Sequence, residues 1–345
     1  MPLWHHSGMP TLLVATAGGH LQELWELRQR LEPVDGDVTW VTVEGAQART
    51  LLAGEKKLFA PYARPRDPAS TLANLRFARH VLALDGWTDV VSTGSLVAVP
   101  FLTVARARGI RAHFIESAAR VAGPSLTGRI LERVPGVGRY SPYESWNRKG
   151  WTYRGSVLDG YGLVPTIGPP KELRRVVLTV GTSRYGFLRL VTKLQEVLPE
   201  GCEVFWQTGA TDLAGTGLET VAHPAVSEHE LAAEMAAADL VVSHAGVGSA
   251  LAAMRAGKQP LLVPRRAGRG EHVDDHQQQL ARELERRGLA ISCDADDLEV
   301  ALLRKAASSR VALRAAAPFR LRAGRPRRRR ARAGAPWRRA AARKA

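Results

Sequence analysis

The residues with the clearest chemical potential follow an apolar run in the second half of the chain. Leu240 to Val242 are apolar, Ser243–Ser249 is a small-residue turn, and a helical pattern begins within it. Glycines let a ligand approach the backbone closely, and the free N–H groups of a helix start favour phosphate oxygens. The stretch therefore predicts an anion-binding turn, although a plain strand-to-helix connection would leave the same pattern.

Two further elements follow this turn. Gln259–Pro264 predicts another strand, and a charged loop then leads to Asp275, His276 and Gln277 at the start of a further helix. His276 and Gln277 place hydrogen-bonding side chains at this helix start, and Asp275 would complement the helix dipole. The ordered set of turn, strand and polar helix start is more specific than a Gly-x-Gly turn alone.

Alternating strand and helix patterns on both sides of the chain's middle must position these residues. Thr11–Thr16 predicts a buried strand followed by a small-residue turn and a helix, and Val176–Val180 begins a second series in the same way. This alternation predicts mainly parallel sheets with right-handed crossovers. We expect an α/β protein with two Rossmann-like domains that face each other across a cleft, with ligand turns at the carboxyl ends of the strands.

Changes in composition set the predicted boundaries. We place the first domain at residues 1–150, a Gly- and Pro-rich linker at 151–174, the second domain at 175–310, and a basic low-complexity tail at 311–345. Thirteen Lys and Arg residues and no acids lie in the tail, out of a net charge of +16 for the chain. The tail is predicted to be disordered, with no core of its own.

The basic tail indicates partners only weakly. Attraction to an anionic membrane surface fits its charge. Nucleic-acid binding is poorly supported and not expected, because only Phe319 and Trp337 interleave with the arginines as stacking platforms.

Cysteine count and hydropathy exclude several classes of protein. Cys202 and Cys293 are the only cysteines, which predicts neither a disulfide framework nor a cysteine metal site. No apolar run has the length of a membrane-spanning helix, and the first residues lack the pattern of a signal peptide. We expect a cytoplasmic protein.

The motifs in both halves resemble a known family, the two-part UDP-sugar glycosyltransferases, here fused in one chain. This group includes the eukaryotic enzyme that adds the second N-acetylglucosamine to dolichol-linked sugar, and bacterial exopolysaccharide transferases; the peptidoglycan N-acetylglucosamine transferase is a more distant relative. The segments similar to the acceptor half are Ala17–His20, Thr93–Ser95, Ile115–Val121 and Ser125–Gly128. Those similar to the donor half are Thr179–Thr182, Gln207–Gly209, Ser243–Ser249 and Asp275–Gln277.

The resemblance implies a GT-B fold and an inverting transfer from a UDP-sugar to a lipid-linked saccharide in exopolysaccharide or glycolipid synthesis. It implies no metal and no cofactor beyond the donor substrate, and a peripheral position on the inner face of the cell membrane. The expected donor-binding residues are Gly181, Thr182, Gln207, Ser243, His244, Gly246, Val247, Gly248, Ser249, Asp275, His276 and Gln277. The expected acceptor-side or phosphate residues are Gly18, Gly19, Thr93, Gly94, Ser95 and Arg120.

Two residues are candidates for the general base that takes a proton from the acceptor hydroxyl. His20 follows two glycines at a helix start, although it would also serve as a residue that shapes the turn. Glu116 ends a strand and would face the ligand crevice, although it would also pair with Arg120. His244 is predicted either to touch the diphosphate or to lie as a satisfied histidine under the turn.

One position departs from the family pattern. The family carries a Glu that holds the ribose hydroxyls, and Ala252 stands at that position here. Two alternatives stay open. A non-catalytic nucleotide-sugar-binding protein is supported by this loss. A UDP-sugar epimerase of the same fold would need carboxylates around the donor, and the loss removes one.

Overall fold

The first domain is built on a seven-stranded sheet. The computed structural model describes residues 10–34, 36–62, 67–84, 86–146, 148–164 and 172–322. In chain order the first elements are β1 (Thr11–Ala15), α1 (Gly19–Arg28), β2 (Leu31–Glu32), β3 (Val38–Thr42), α2 (Ala46–Leu51), β4 (Lys57–Phe59), α3 (Pro68–Val81), β5 (Asp89–Gly94), α4 (Ala98–Ala107), β6 (Arg111–Ile115), α5 (Leu126–Leu131), β7 (Gly138–Ser141) and β8 (Trp151–Tyr153). Every pairing in the sheet, ordered β4-β3-β1-β5-β6-β7-β8, is parallel.

The second domain repeats the plan with five strands. After a 3₁₀ turn (Val157–Gly160) and β9 (Tyr161–Val164), the elements are β10 (Arg175–Thr179), α6 (Leu188–Val197), β11 (Glu203–Gln207), α7 (Glu228–Ala237), β12 (Leu240–Ser243), α8 (Val247–Arg255), β13 (Leu261–Leu262), a 3₁₀ turn (Ala267–Arg269), α9 (His276–Arg286), β14 (Ile291–Ser292), α10 (Val300–Ala307), β15 (Arg310–Leu313) and β16 (Phe319–Arg320). The parallel sheet has the order β11-β10-β12-β13-β14. The predicted α/β fold with two Rossmann-like domains is confirmed.

Local sequence explains the central elements. All five residues of β1 and all four of β12 are buried, as expected for strands covered on both faces. Helix α7 begins where the Ser227 side chain accepts a hydrogen bond from the Glu230 N–H. Both central strands end at a glycine-containing turn, so the turns lie at the carboxyl edges of their sheets.

The predicted linker is wrong in part. β8 pairs in parallel with β7, so the first sheet continues to Tyr153 instead of ending at 150. Trp151 is buried there, with its ring 6.0 Å from that of Phe114. Residues 165–171 of the predicted linker lie outside the described residues.

The predicted tail also begins too early. β15 pairs with β9 in antiparallel fashion, and β16 pairs with β2 of the first domain. Phe319 is fully buried, with its ring 5.3 Å from that of Tyr140. The chain therefore returns to the first domain and buries apolar side chains there. Composition alone assigns this segment to an arginine-rich tail. Residues 323–345 lie outside the described residues.

Two further expectations concern membrane-spanning helices and the cysteines. In the part of the chain that the structure describes, no helix is long and apolar enough to cross a membrane. Cys202 and Cys293 are unpaired thiols, and both are only partly buried.

Phe319→Ala tests whether the returning segment holds the domains together. Loss of a fully buried phenylalanine should cost about 3–5 kcal/mol of unfolding free energy. Leu313→Ala, on the exposed side of β15 at 65% exposure, should change it by less than about 0.5 kcal/mol. Urea unfolding of both variants measures the difference. Equal, small losses would show that the return segment contributes little.

Candidate functional site

A cleft of about 770 Å³ separates the two domains at the carboxyl ends of their central strands. The first domain lines it with α1 and α2, and the second with the turns after β10 and β12 and with α7 and α8. Of the predicted residues, those lining it are Gly18, Gly19, Gly181, Thr182, Gln207, His244, Gly246, Val247, Gly248 and Ser249. The structure thus brings the first turn of each domain to one cavity.

Helices α1 and α8 begin side by side across this cleft. A Cβ added to Gly19 would lie 2.6 Å from Val247 Cγ1, and one added to Gly248 would lie 3.3 Å from Gly19 Cα. Farther along, the Arg255 guanidinium lies 4.1 Å from the centre of the Trp25 ring. The two helices therefore run in the same direction, and both N-termini present their free N–H groups at one place.

The turn after β10 is held by a buried amide. Gln207 Nε2 donates to the Gly181 and Pro224 carbonyls, at 3.0 and 2.9 Å, and Gln207 Oε1 accepts from Gly181 N–H at 3.1 Å and from Thr179 Oγ1 at 2.5 Å. Both ends of the amide are thus occupied. The geometry gives Gln207 the task of shaping the turn, with Thr182 and Ser183 exposed to the cleft beside it.

His244 lies under both glycine turns of the second domain. Its Nδ1 lies 3.3 Å from the Thr179 carbonyl oxygen, and a Cβ on Gly181 would lie 2.7 Å from its Cε1. Burial and the positive charge of Arg265 lower the pKa of His244 to about 3. A neutral ring packed between the turns fits the predicted alternative of a satisfied histidine, although its edge still reaches the cleft.

A buried arginine stands behind the same turns and has no counterpart in the sequence predictions. Arg265 is 0% exposed, and its Nη2 donates to the carbonyls of Val180 and Tyr185, both at 2.9 Å. Its Nε and Nη1 have no hydrogen-bond partner among the described residues. Burial lowers the pKa of Arg265 to about 10, so the side chain remains a cation near neutral pH.

His20 sits at the start of α1 with a defined tautomer. Its Nδ1 lies 3.0 Å from the Thr93 carbonyl oxygen, and Thr93 Oγ1 donates to the His20 carbonyl at 2.7 Å. Because a carbonyl only accepts, Nδ1 carries the proton in the neutral ring and Nε2 keeps its lone pair. Burial and the charge of Arg120 lower the pKa of His20 to about 4.

The predicted rival base, Glu116, is engaged on both oxygens. Glu116 Oε2 accepts from Ser125 N–H and from Ser125 Oγ, both at 2.9 Å, and Oε1 accepts from Ser117 N–H at 3.2 Å. At 2% exposure this carboxylate holds the loop before α5. Arg120 pairs across the domains with Asp274 at 3.2 Å instead of forming the predicted pair with Glu116.

Sequence reasoning missed a second buried acid, Glu23. Its Oε1 accepts from Ala118 N–H at 2.6 Å, and its Oε2, 3.9 Å from His20 Nδ1, has no hydrogen-bond partner in the described chain. Burial raises the pKa of Glu23 to about 8. The three-residue spacing from His20 on α1 was the available signal, because such residues share one helix face.

Backbone strain is concentrated in two of the predicted turns. Ser95 and Ala245 are the non-glycine residues with positive φ, 68° and 58°, among the residues described. Ser95 follows Gly94 beside His20, and a Cβ on Gly94 would lie 3.0 Å from the His20 ring. Left-handed backbone in non-glycine residues is uncommon and is concentrated at functional sites, which supports a functional reading of both turns.

The start of α9 lies apart from the residues that line the cleft. Asp275 Oδ1 accepts from Ala267 N–H at 3.0 Å, and Gln277 Oε1 accepts from Arg265 N–H at 3.1 Å. His276 bonds to Asp274 through Nδ1. Ser243 is fully buried, and its hydroxyl has no partner among the described residues. Asp275, His276 and Gln277 thus organise the loop before α9 and its first turn. None of these three residues, nor Ser243 at the end of β12, is among the residues that line the cleft.

One group of side chains near α9 offers metal-ligand atoms. Single ligand atoms of His272, Asp274 and His276 lie within 4.8 Å of one another. Asp274 already bonds to His276 and Arg120, and the group stands at a helix N-terminus, which disfavours a cation. This chemistry fits an internal polar network better than a metal centre.

Comparisons with known proteins agree with this geometry. Residues 175–320 match the glycosyltransferase family 28 C-terminal domain. The chain is 27% identical over 290 residues to a UDP-N-acetylglucosamine--N-acetylmuramyl-(pentapeptide) pyrophosphoryl-undecaprenol N-acetylglucosamine transferase of Synechococcus sp. strain WH7803, covering 77% of this chain and 79% of that protein. It is 46% identical over 70 residues to the UDP-N-acetylglucosamine transferase subunit ALG13 of Yarrowia lipolytica, covering 20% and 34%.

Solved structures share the architecture. Acinetobacter baumannii MurG matches with a TM-score of 0.52 at 19% identity, covering 86% of this chain and 89% of the other. The glycosyltransferase SnogD from Streptomyces nogalater matches with a TM-score of 0.52 at 18% identity, covering 87% and 93%. The predicted GT-B fold and the resemblance to UDP-sugar glycosyltransferases are therefore confirmed, and the chain is a glycosyltransferase whose second domain matches the family 28 C-terminal domain.

Proposed function

We propose that this enzyme transfers a sugar from a UDP-sugar to a lipid-linked saccharide, with inversion and without a metal ion. The observation that carries the proposal is the meeting of the α1 and α8 starts at one interdomain cleft. UDP-N-acetylglucosamine is the first donor to test, because relatives in two groups carry it in their names.

The start of α8 suits the donor diphosphate. N–H groups of Val247, Gly248 and Ser249 belong to the first turn of the helix, where no intrahelical acceptor is available. The helix dipole adds partial positive charge at the same point. Arg265, a buried cation behind the Gly181 turn, contributes further positive potential where the dielectric is low.

These groups stabilise the leaving diphosphate in place of a metal ion. As the bond between the anomeric carbon and the diphosphate oxygen breaks, its electron pair moves onto UDP. Positioned N–H donors lower the energy of that charge without reorganising. The expected consequence is transfer that needs no divalent metal.

His20 is the proposed general base. The acceptor hydroxyl oxygen bonds to the anomeric carbon from the face opposite the leaving group, and its proton moves to His20 Nε2. The Thr93 carbonyl fixes the tautomer that this step needs. The Glu23 carboxyl lies 3.9 Å from Nδ1, but with its pKa raised to about 8 by burial it is mostly uncharged at neutral pH, so the Thr93 carbonyl is the group that orients the ring.

The chemical class of the acceptor is proposed from the names of the relatives. Curated relatives are named for a pyrophosphoryl-undecaprenol acceptor, and a lipid-linked acceptor implies work at the inner face of the membrane.

The epimerase alternative needs carboxylates around the donor, and one acid, Glu228, lines the cleft in the described chain. Transfer is therefore the better supported reaction.

Incubation of the full-length protein with a panel of radiolabelled UDP-sugars and bacterial lipid extract tests the proposal. We expect label to enter the organic phase from one UDP-sugar, at the same rate in EDTA as in Mg²⁺. Control incubations omit protein or extract. Sugar conversion without acceptor would indicate an epimerase, and binding without transfer from any UDP-sugar would contradict the enzymatic proposal.

His20→Asn should lower kcat by about 10²–10⁴-fold, because general-base catalysis contributes on that scale. KM for the donor should change little. In the unmodified enzyme, kcat/KM should stay level from neutral pH down to about pH 5 and fall as His20 protonates near its pKa of about 4. His80→Asn, on an exposed helix face, is the control. An acid limb near pH 6.5, or full activity of His20→Asn, would contradict this role.

Gly19→Ala should separate the two helix starts. The new Cβ would lie 2.6 Å from Val247 Cγ1, and a valine side chain in a helix has little freedom to move away. We expect weaker UDP binding and at least tenfold slower transfer. Gly268→Ala, where a Cβ meets nothing within 4 Å, should leave both unchanged. Equal behaviour of the two variants in calorimetry and kinetics would show that the close approach is not required.

A further inference from the structure

One acidic side chain lines the cleft among the described residues, and the mechanism above does not use it. This residue is Glu228, the first residue of α7. The other side chains that line the cavity are apolar, hydroxyl, amide, histidine or arginine groups, and several wall positions are glycines. Glu228 is half-buried, so its carboxylate has lost part of its hydration and can accept hydrogen bonds from a ligand in the cleft.

The wall beside Glu228 offers few other hydrogen-bond acceptors. Ala232 and Ala236 continue α7 along the cleft, and Ala252 and Ala256 face it from α8. Ala252 lies five residues beyond the start of α8, or about 7.5 Å along its axis. A nucleotide whose phosphates occupy the helix start would place its ribose near Ala252.

Ribose has a chemical need that this wall otherwise leaves unmet. Its vicinal 2′- and 3′-hydroxyls donate two hydrogen bonds, and a single carboxylate, which only accepts, receives both. Acidic residues serve this purpose in other nucleotide-binding α/β proteins. An alanine wall supplies shape at this point, and Glu228 supplies the acceptors.

A residue of the opposite domain lies on the same stretch of the cleft. Gln47 belongs to α2, which packs against α7, and it lines the cleft together with Glu228. Gln47 Nε2 donates to the Gly18 carbonyl at 3.2 Å, so this part of the wall is connected to the turn that opens α1. A nucleotide bound to Glu228 would stabilise the closed arrangement of both helix starts.

We propose that Glu228 binds the ribose hydroxyls of the donor nucleotide, and that Ala252 leaves the space for this contact from α7. The proposal rests on the proposed UDP-sugar function. It also explains how a chain with alanine at position 252 retains ribose recognition: the acid has moved from α8 to the adjacent helix.

Calorimetric binding of UDP and 2′-deoxy-UDP to the full-length protein tests the assignment. Hydrogen bonds to a charged group predict that the unmodified protein binds UDP about tenfold more tightly than 2′-deoxy-UDP. Glu228→Ala should abolish the preference for UDP: it removes both hydroxyl contacts of UDP but only the 3′-hydroxyl contact of 2′-deoxy-UDP, so UDP binding weakens more and the two affinities become nearly equal. A change that merely damages the fold would weaken both nucleotides by the same factor and keep the preference.

Two further variants complete the test. Glu230→Ala, an exposed acid in the same helical turn, should keep the preference for UDP. Glu228→Ala combined with Ala252→Glu should restore it by returning a carboxylate to the cleft from α8. Equal binding of both nucleotides by the unmodified protein, or an intact preference in a folded Glu228→Ala variant, would overturn the assignment. Binding of neither nucleotide by the unmodified protein would instead refute the proposed function.

Discussion

The contact between the first turns of α1 and α8 is the constraint on which the cleft depends. It leaves no room for a Cβ at Gly19, and it directs the N-termini of two parallel helices from different domains at one volume. Two helix dipoles of the same sign repel each other when nothing lies between them. An anion in the cleft relieves that repulsion, so the interface favours a phosphate-bearing ligand as part of its own stability.

Buried polar groups keep the turns in the shape that this contact requires. Gln207 occupies both ends of its amide on the Gly181 turn, and His244 fills the space beneath it as a neutral ring. Arg265 bonds to the carbonyls on either side of the same loop. Such groups cost free energy to bury unless they are bonded, and each bond made here fixes backbone that faces the cleft. Several residues with the appearance of ligands therefore act by positioning the N–H groups.

Sequence patterns were sufficient to predict the strands, turns and helices that depend on local sequence. Apolar strands followed by small-residue turns predicted two Rossmann-like domains, because strands buried on both faces read as continuous apolar runs. The long-range features were not accessible in this way. Phe319 in β16 pairs with Leu31 in β2, which lies near the other end of the chain. Glu116 hydrogen-bonds to Ser125 and does not line the cleft. Arg265 is buried although it lies in a loop whose sequence is charged. Glu228 was missed for a related reason: its importance appears only when α7 is seen beside Ala252, and helix adjacency is not encoded in residue spacing.

A crystal structure of the full-length protein with UDP tests the central claim most directly, because it locates the diphosphate without relying on turnover. The account predicts phosphate oxygens about 3 Å from the N–H groups of Gly248 and Ser249, in the cleft onto which the starts of α8 and α1 open. A diphosphate bound elsewhere, for example beside His272 and His276 at the start of α9, with the α8 start unused, would contradict it.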